Sequence, residues 1–227
     1  QGNSGELIVE AEGDLTVLAE PAFAQRPAFR PVPEPEIVRE AAQVLASARR
    51  PVIVAGGGVT ASQAQQQVVQ LAEMLSIPVA TSLNAKGAIP DDHPLSVGVC
   101  GSYSRWCANR VVAEADLVLF IGSHTGDQVT LDWRIPPVGT PVIQIDIDPT
   151  ELGRSYPTKV ALQGDARATL VRLIEALEPI AGRAEWVGRA QELVREWRAD
   201  VAPLAGSDAV PIRPERLCTE LAKFLPS

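Results

Sequence analysis

The sequence is poor in the residues that staple, chelate or stack. Its three cysteines, Cys100, Cys107 and Cys218, are too few and too scattered for a disulfide framework, and no second CxxC-type pair completes a zinc site. A reducing, cytoplasmic setting is the expectation. Aromatic residues make up only 4% of the chain, which disfavours an aromatic platform for single-stranded nucleic acid or glycans. Basic charge is outnumbered, with 20 Lys+Arg against 28 Asp+Glu and a net charge of -8. Phosphate neutralisation supplies most of the affinity for polyanions, so this balance argues against a nucleic-acid or anionic-membrane partner. The longest apolar run, Leu117-Val118-Leu119-Phe120-Ile121, falls far short of the ~20 residues that cross a bilayer, and no basic-then-apolar leader follows Gln1. There is no G-x-S-x-G and no H-E-x-x-H, and only two histidines are present, so no nucleophile–base–orienter set emerges.

What the chain does contain is alternation. After one short apolar run, Leu7-Ile8-Val9, the prolines Pro21, Pro27, Pro31, Pro33 and Pro35 describe a linker. From Glu36 onward, Ile37, Ala41, Val44, Leu45 and Ala48 share a helical face, and Pro51-Val52-Ile53-Val54-Ala55 reads as a buried strand. A helix on Ala64, Val68, Leu71, Ala72 and Leu75 leads to the strand Val79-Ala80-Thr81, and a helix on Ala108, Val111, Val112 and Ala115 leads to Leu117–Ile121. Val142–Asp146 and Val160-Ala161-Leu162 follow as strands, then a helix on Leu170, Val171, Ile174 and Leu177. Strands apolar throughout, separated by amphipathic helices, predict a doubly wound, mostly parallel α/β sheet of about six strands with helices on both faces. A helix around Trp186, Leu193, Val194 and Trp197 precedes a second linker, Ala202–Ser207, and a last amphipathic helix spans Pro214 to Leu225. The expected organisation is a remnant and linker over 1–33, a nucleotide-binding-type domain over 34–180, and a helix, linker and start of another domain over 181–227.

In such sheets ligands bind beyond the carboxyl ends of the strands. After the first strand of the domain, Gly56-Gly57-Gly58-Val59-Thr60-Ala61 fits the loose G-x-G-x-x-G/A form, which lets a diphosphate approach backbone N–H groups, or simply makes a tight turn. The acidic residue expected at the next strand end is absent, because that strand closes on Thr81-Ser82-Leu83-Asn84, so a standard NAD-dependent dehydrogenase is disfavoured. Acids stand instead at Asp146 and Asp165. Each can accept from ribose hydroxyls or cap the helix that follows, and the cap is the stronger reading for Asp165. His124, after Gly122-Ser123, can face a ligand or act as a loop residue. His93, in Pro90-Asp91-Asp92-His93-Pro94, reads as turn chemistry.

Taken in register, Arg50–Val59, Ile77–Ser82, Lys86–Pro94, Ala113–Leu119 and Ile145–Pro149 resemble the central domain of thiamine-diphosphate-dependent enzymes of the acetolactate synthase type, from about Glu34 to Glu178. In that resemblance Gly5–Asp14 is similar to the last strand of a preceding pyrimidine-binding domain, and Pro214–Pro226 to the opening helix of a following diphosphate-binding domain. The family's activating glutamate and its G-D-G motif would lie outside this chain, so thiamine diphosphate and Mg²⁺ would be bound elsewhere and the chain alone would be inert. The whole enzyme would decarboxylate a 2-oxo acid such as pyruvate, transfer the remaining fragment to an acceptor, and form a homodimer or homotetramer. FAD or ADP binds this domain in some members. Their contacts, carried over, would fall on Gly56, Gly57, Gly58, Thr81, Ser82, Leu83, Gly122, Ser123, Asp146, Ile147, Glu151, Gly164 and Asp165, with His124 beside them. His124 and Gln128 stand where flavin-binding members carry arginines, and Tyr103 replaces a loop histidine, which removes two bidentate partners for a diphosphate. The alternative is a stand-alone nucleotide-binding or oligomerisation module without catalysis.

Overall fold

The computed structural model describes residues 6–11, 14–19, 29–180 and 182–224. They fall into two compact units, Gln1–Arg30 and Pro31–Ser227. Within the first, strands β1 (Glu6–Ala11) and β2 (Asp14–Ala19) pair antiparallel with Glu6 opposite Ala19. The run Leu7-Ile8-Val9 is thus one arm of a hairpin whose other arm was not expected. Pro21 and Pro27, and Leu225 and Pro226 at the other end, lie outside the described residues.

In the second unit, helix α1 (Pro35–Ser47) starts with proline at its first position, where a missing N–H leaves nothing unpaired. It leads to β3 (Pro51–Ala55), then α2 (Gly57–Ser62) and α3 (Gln65–Leu75), β4 (Val79–Thr81) and β5 (Ser96–Val99). Helix α4 (Trp106–Glu114), β6 (Leu117–Ile121), the short α5 (Asp127–Thr130), β7 (Val142–Asp146), β8 (Thr158–Gln163) and α6 (Ala166–Glu175) complete the sheet. Helices α7 (Ala184–Ala205) and α8 (Pro214–Ala222) follow.

Six strands lie in the order β5-β4-β3-β6-β7-β8, and every pairing is parallel. Because strand side chains alternate, neighbouring residues feed opposite layers. Ile53, Ala55, Leu119, Ile121, Ile143 and Ile145 pack with α1, α3 and α6, whereas Val52, Val54, Val118, Phe120 and Val142 pack with α4 and α7. Both layers are apolar, which is why the central strands carry no polar alternation. At one edge, β8 alternates instead, with Val160 and Leu162 inward and its other residues exposed or half-buried.

Three local expectations change. The α1 face is rotated: Val38, Ala41, Ala42 and Leu45 are buried, while Ile37 and Val44 sit at its margin. The linker expected at Ala202 begins only at Gly206, because Pro203 lies in the last turns of α7, where a missing N–H removes one bond near a helix end rather than within its span. The edge strand β5 was not expected. Its four residues alternate, with Val97 and Val99 set between Ser96 and Gly98, but Gly98 takes φ +88 and a register shift interrupts the pairing with β4, so the strand is short and irregular. On the second face Trp186 is buried and donates to Pro51 O at 2.8 Å, and Trp197 stacks under Arg105 at 4.6 Å, fixing α7 to the body.

Candidate functional site at the carboxyl edge of the sheet

The strand order puts β3 between β4 and β6, so the chain leaves β3 toward one edge and later returns on its other side. This is the topological switch point of the sheet, the place where ligands bind in folds of this class. Gly56 and Gly58 follow β3, and Gly122 follows β6. A Cβ on Gly56 would stand 2.2 Å from Gly122 O, one on Gly58 2.7 Å from Gly122 Cα, and one on Gly122 2.6 Å from Gly58 Cα. The three glycines are therefore required where two backbones touch. Gly56 N–H donates to Ile121 O at 2.8 Å and Gly58 N–H to Gly122 O at 2.9 Å. Gly57 is different: a Cβ there would meet only Asn84 Cβ, at 3.4 Å.

Beside this contact, Thr81 ends β4 buried, Ser82 N–H donates to Ala55 O at 2.8 Å, and Leu83 is exposed at the start of a 3₁₀ turn. Ser123 is buried and its hydroxyl lies 3.4 Å from Thr125 N. Thr125 takes φ +48, an uncommon backbone for a β-branched residue, and its buried hydroxyl has no partner among the described residues.

The acidic side lies beyond β7. Asp146 is buried and accepts from Asp148 N–H at 3.0 Å; burial pushes its carboxyl above the usual Asp range. Ile147 next to it is exposed. Glu151 is buried and holds two side chains, the His124 imidazole with Nδ1 at 2.9 Å from Oε1 and the Arg154 guanidinium with Nη2 at 2.8 Å from Oε2. Arg154 also donates to His124 O at 3.0 Å, so the loops after β6 and β7 are tied together. Gln144, buried in the middle of β7, donates to Glu151 O at 2.9 Å and accepts from Gly153 N–H at 3.0 Å. It shapes the turn that carries Glu151. Its signal was available, one amide in an apolar strand, but the partner it serves was not.

After β8, Gly164 N–H donates to Asp146 O at 2.8 Å, and a Cβ on Gly164 would come within 2.5 Å of Thr169 Oγ1. Asp165 caps α6, accepting from Ala168 N–H at 3.0 Å and from Ser62 Oγ at 2.9 Å. Ser62 Oγ in turn accepts from Arg167 N–H at 2.8 Å. The structure thus brings the loop glycines together, and His124 to Glu151, but binds Asp165 into a helix cap away from that group. His93 is a turn residue, with Nδ1 accepting from Leu95 N–H at 3.1 Å. Cys100 is buried and its thiol is pushed up to about 12; burial also raises the Cys107 thiol, so neither is a nucleophile.

Residues 38–173 match the family described as thiamine pyrophosphate enzyme, central domain. The chain belongs to this family. Among its relatives, "Probable acetolactate synthase large subunit" of Methanocaldococcus jannaschii is 36% identical over 222 residues, covering 96% of this chain and 37% of that protein. "Probable 2-ketoarginine decarboxylase AruI" of Pseudomonas aeruginosa is 42% identical over 200 residues, 84% of this chain and 34% of that protein. "Glyoxylate carboligase" of Escherichia coli O157:H7 is 32% identical over 234 residues, 98% of this chain and 39% of that protein. The chain therefore spans well under half the length of these relatives. Among the described residues no group of three His, Cys, Asp or Glu is placed to hold a metal, and no helix is long and apolar enough to cross a membrane.

Proposed function

We propose that this chain is the central, structural domain of a thiamine-diphosphate-dependent enzyme that decarboxylates a 2-oxo acid and joins the remaining fragment to an acceptor. The observation that carries the reading is the family match across residues 38–173 together with similarity over 84–98% of this chain to proteins named as a synthase, a decarboxylase and a carboligase. Thiamine diphosphate, with Mg²⁺, supplies the electron sink for loss of CO₂, and it binds outside this chain. The residues here supply architecture: a six-stranded sheet and two loops locked through Gly56, Gly58 and Gly122. The chain alone is inert. The whole enzyme works in the cytoplasm as a homodimer or homotetramer.

The test is an assay of the complete encoded polypeptide with a panel of 2-oxo acids, with and without thiamine diphosphate and Mg²⁺. CO₂ release that requires both cofactors, and that this 227-residue chain cannot produce alone, is the expected result. A complete polypeptide without cofactor-dependent turnover on any 2-oxo acid would refute the reading.

A further inference from the structure

We infer that the loops at the carboxyl ends of β3, β6 and β7 hold no nucleoside diphosphate, because Glu151 already engages Arg154 and His124, the side chains that a diphosphate would need. A diphosphate at strand ends requires unspent backbone donors, a cation, or both. Of the glycine-loop donors, Gly56 N–H and Gly58 N–H are already bonded to Ile121 O and Gly122 O, which leaves Gly57 N–H as a single donor for two phosphates. Helix α2, which those donors open, is 6 residues long and stops at Gln63 in the left-handed region, so few peptide dipoles align behind it.

Cations fare no better. In the loops that follow the six strands, every Lys, Arg and His has a carboxylate partner: Lys86 and Arg105 share Asp91, His93 meets Glu73, Arg134 meets Asp132, and His124 and Arg154 share Glu151. Arg167, in the first turn of α6, has no such pair among the described residues, and it lies past Asp165, whose carboxylate caps that turn. The Glu151 group is the decisive one because it ties the loops after β6 and β7. Glu151 is only 7% exposed in its side chain, against 52% for Arg154 and 73% for His124. A phosphate that drew Arg154 and His124 away would strand a buried carboxylate, with Asp146 buried nearby as a second negative group. Gln144, bonded to Glu151 O and Gly153 N–H, fixes the backbone of the turn from which that carboxylate projects. The guanidinium and imidazole therefore serve as a latch between two loops rather than as a phosphate clamp.

Calorimetric titration and thermal melting of the 227-residue chain with ADP and with FAD test this. Flat isotherms and an unchanged melting temperature up to about 1 mM ligand are expected, which places any Kd weaker than ~1 mM. A saturable isotherm with a micromolar Kd for either ligand, or flavin absorbance in the purified protein, would overturn the inference. In E151Q the Arg154 guanidinium and the His124 imidazole lose their carboxylate, and ADP is expected to give a saturable isotherm where the wild type gives none. A flat ADP isotherm from a folded E151Q would overturn the role assigned to Glu151. If E151Q does not fold, the wild-type titration still decides the main point.

Discussion

Arg183 offers the most demanding check on how this domain is held together. It stands at the N-terminal end of α7, is 4% exposed, and has no carboxylate within ion-pair distance among the described residues. Its guanidinium is instead turned onto helix ends. Nη2 donates to Leu45 O at 2.7 Å and Ala48 O at 2.9 Å, Nε also reaches Ala48 O at 3.1 Å, and Nη1 donates to Leu75 O at 2.8 Å. These carbonyls close α1 and α3, so one buried cation satisfies the C-terminal acceptors of two helices, where their dipoles favour positive charge. Replacing Arg183 by Met keeps much of the apolar stem and deletes the donors. Orphaning the carbonyls of Leu45 and Leu75 costs about 1–3 kcal/mol each. Relief of the arginine's own burial, which lowers its pKa, offsets part of that. A net loss of about 3 kcal/mol follows, equivalent to a melting temperature lower by roughly 10 °C in a domain of this size. R183K should recover less than half, because an ammonium cannot fork to two helices. Urea denaturation followed by far-ultraviolet circular dichroism measures this. A loss below about 1 kcal/mol for R183M would show that the helix ends are satisfied without the guanidinium, and would refute the reasoning.

Three further outcomes can be read from thermal or urea melts. G56A forces a methyl group to 2.2 Å from Gly122 O and should cost about 3 kcal/mol or more, whereas G57A, open but for Asn84, should lie within about 1 kcal/mol of wild type. D165A removes the α6 cap and the acceptor for Ser62 and should cost about 1–2 kcal/mol; no loss would mean that solvent replaces the cap. Because burial raises the Asp146 pKa in the folded chain, its charged form opposes folding: the penalty is absent below the ordinary Asp range and complete above the raised value. D146N, which keeps an acceptor for Asp148 N–H, should therefore be more stable than wild type at neutral pH, with the gain shrinking as pH falls through that window. A gain that grows toward acid pH would contradict the sign.

The sequence by itself determined the class of fold, because hydrophobic period is a property of each segment alone. Val52–Ala55 and Leu117–Ile121 are apolar on both faces, and Val142–Ile145 is so but for Gln144; a parallel sheet covered on both sides buries them that way. It also marked the loops to inspect, since glycines and acids cluster after those runs. Strand order and the state of each candidate group were decided by tertiary structure, through contacts between residues distant along the chain. That Gly56 and Gly58 lie against Gly122, and that the Asp165 carboxylate accepts from Ser62, are contacts between distant residues that no local pattern shows. The edge strand at Ser96–Val99 alternates Val97 and Val99 with Ser96 and Gly98, but at four residues it stands out only once it pairs with β4. Nothing local to Arg183 distinguishes it from a surface arginine. Only the convergence of two helix ends at one point makes its charge structural, and that convergence exists in the folded chain alone.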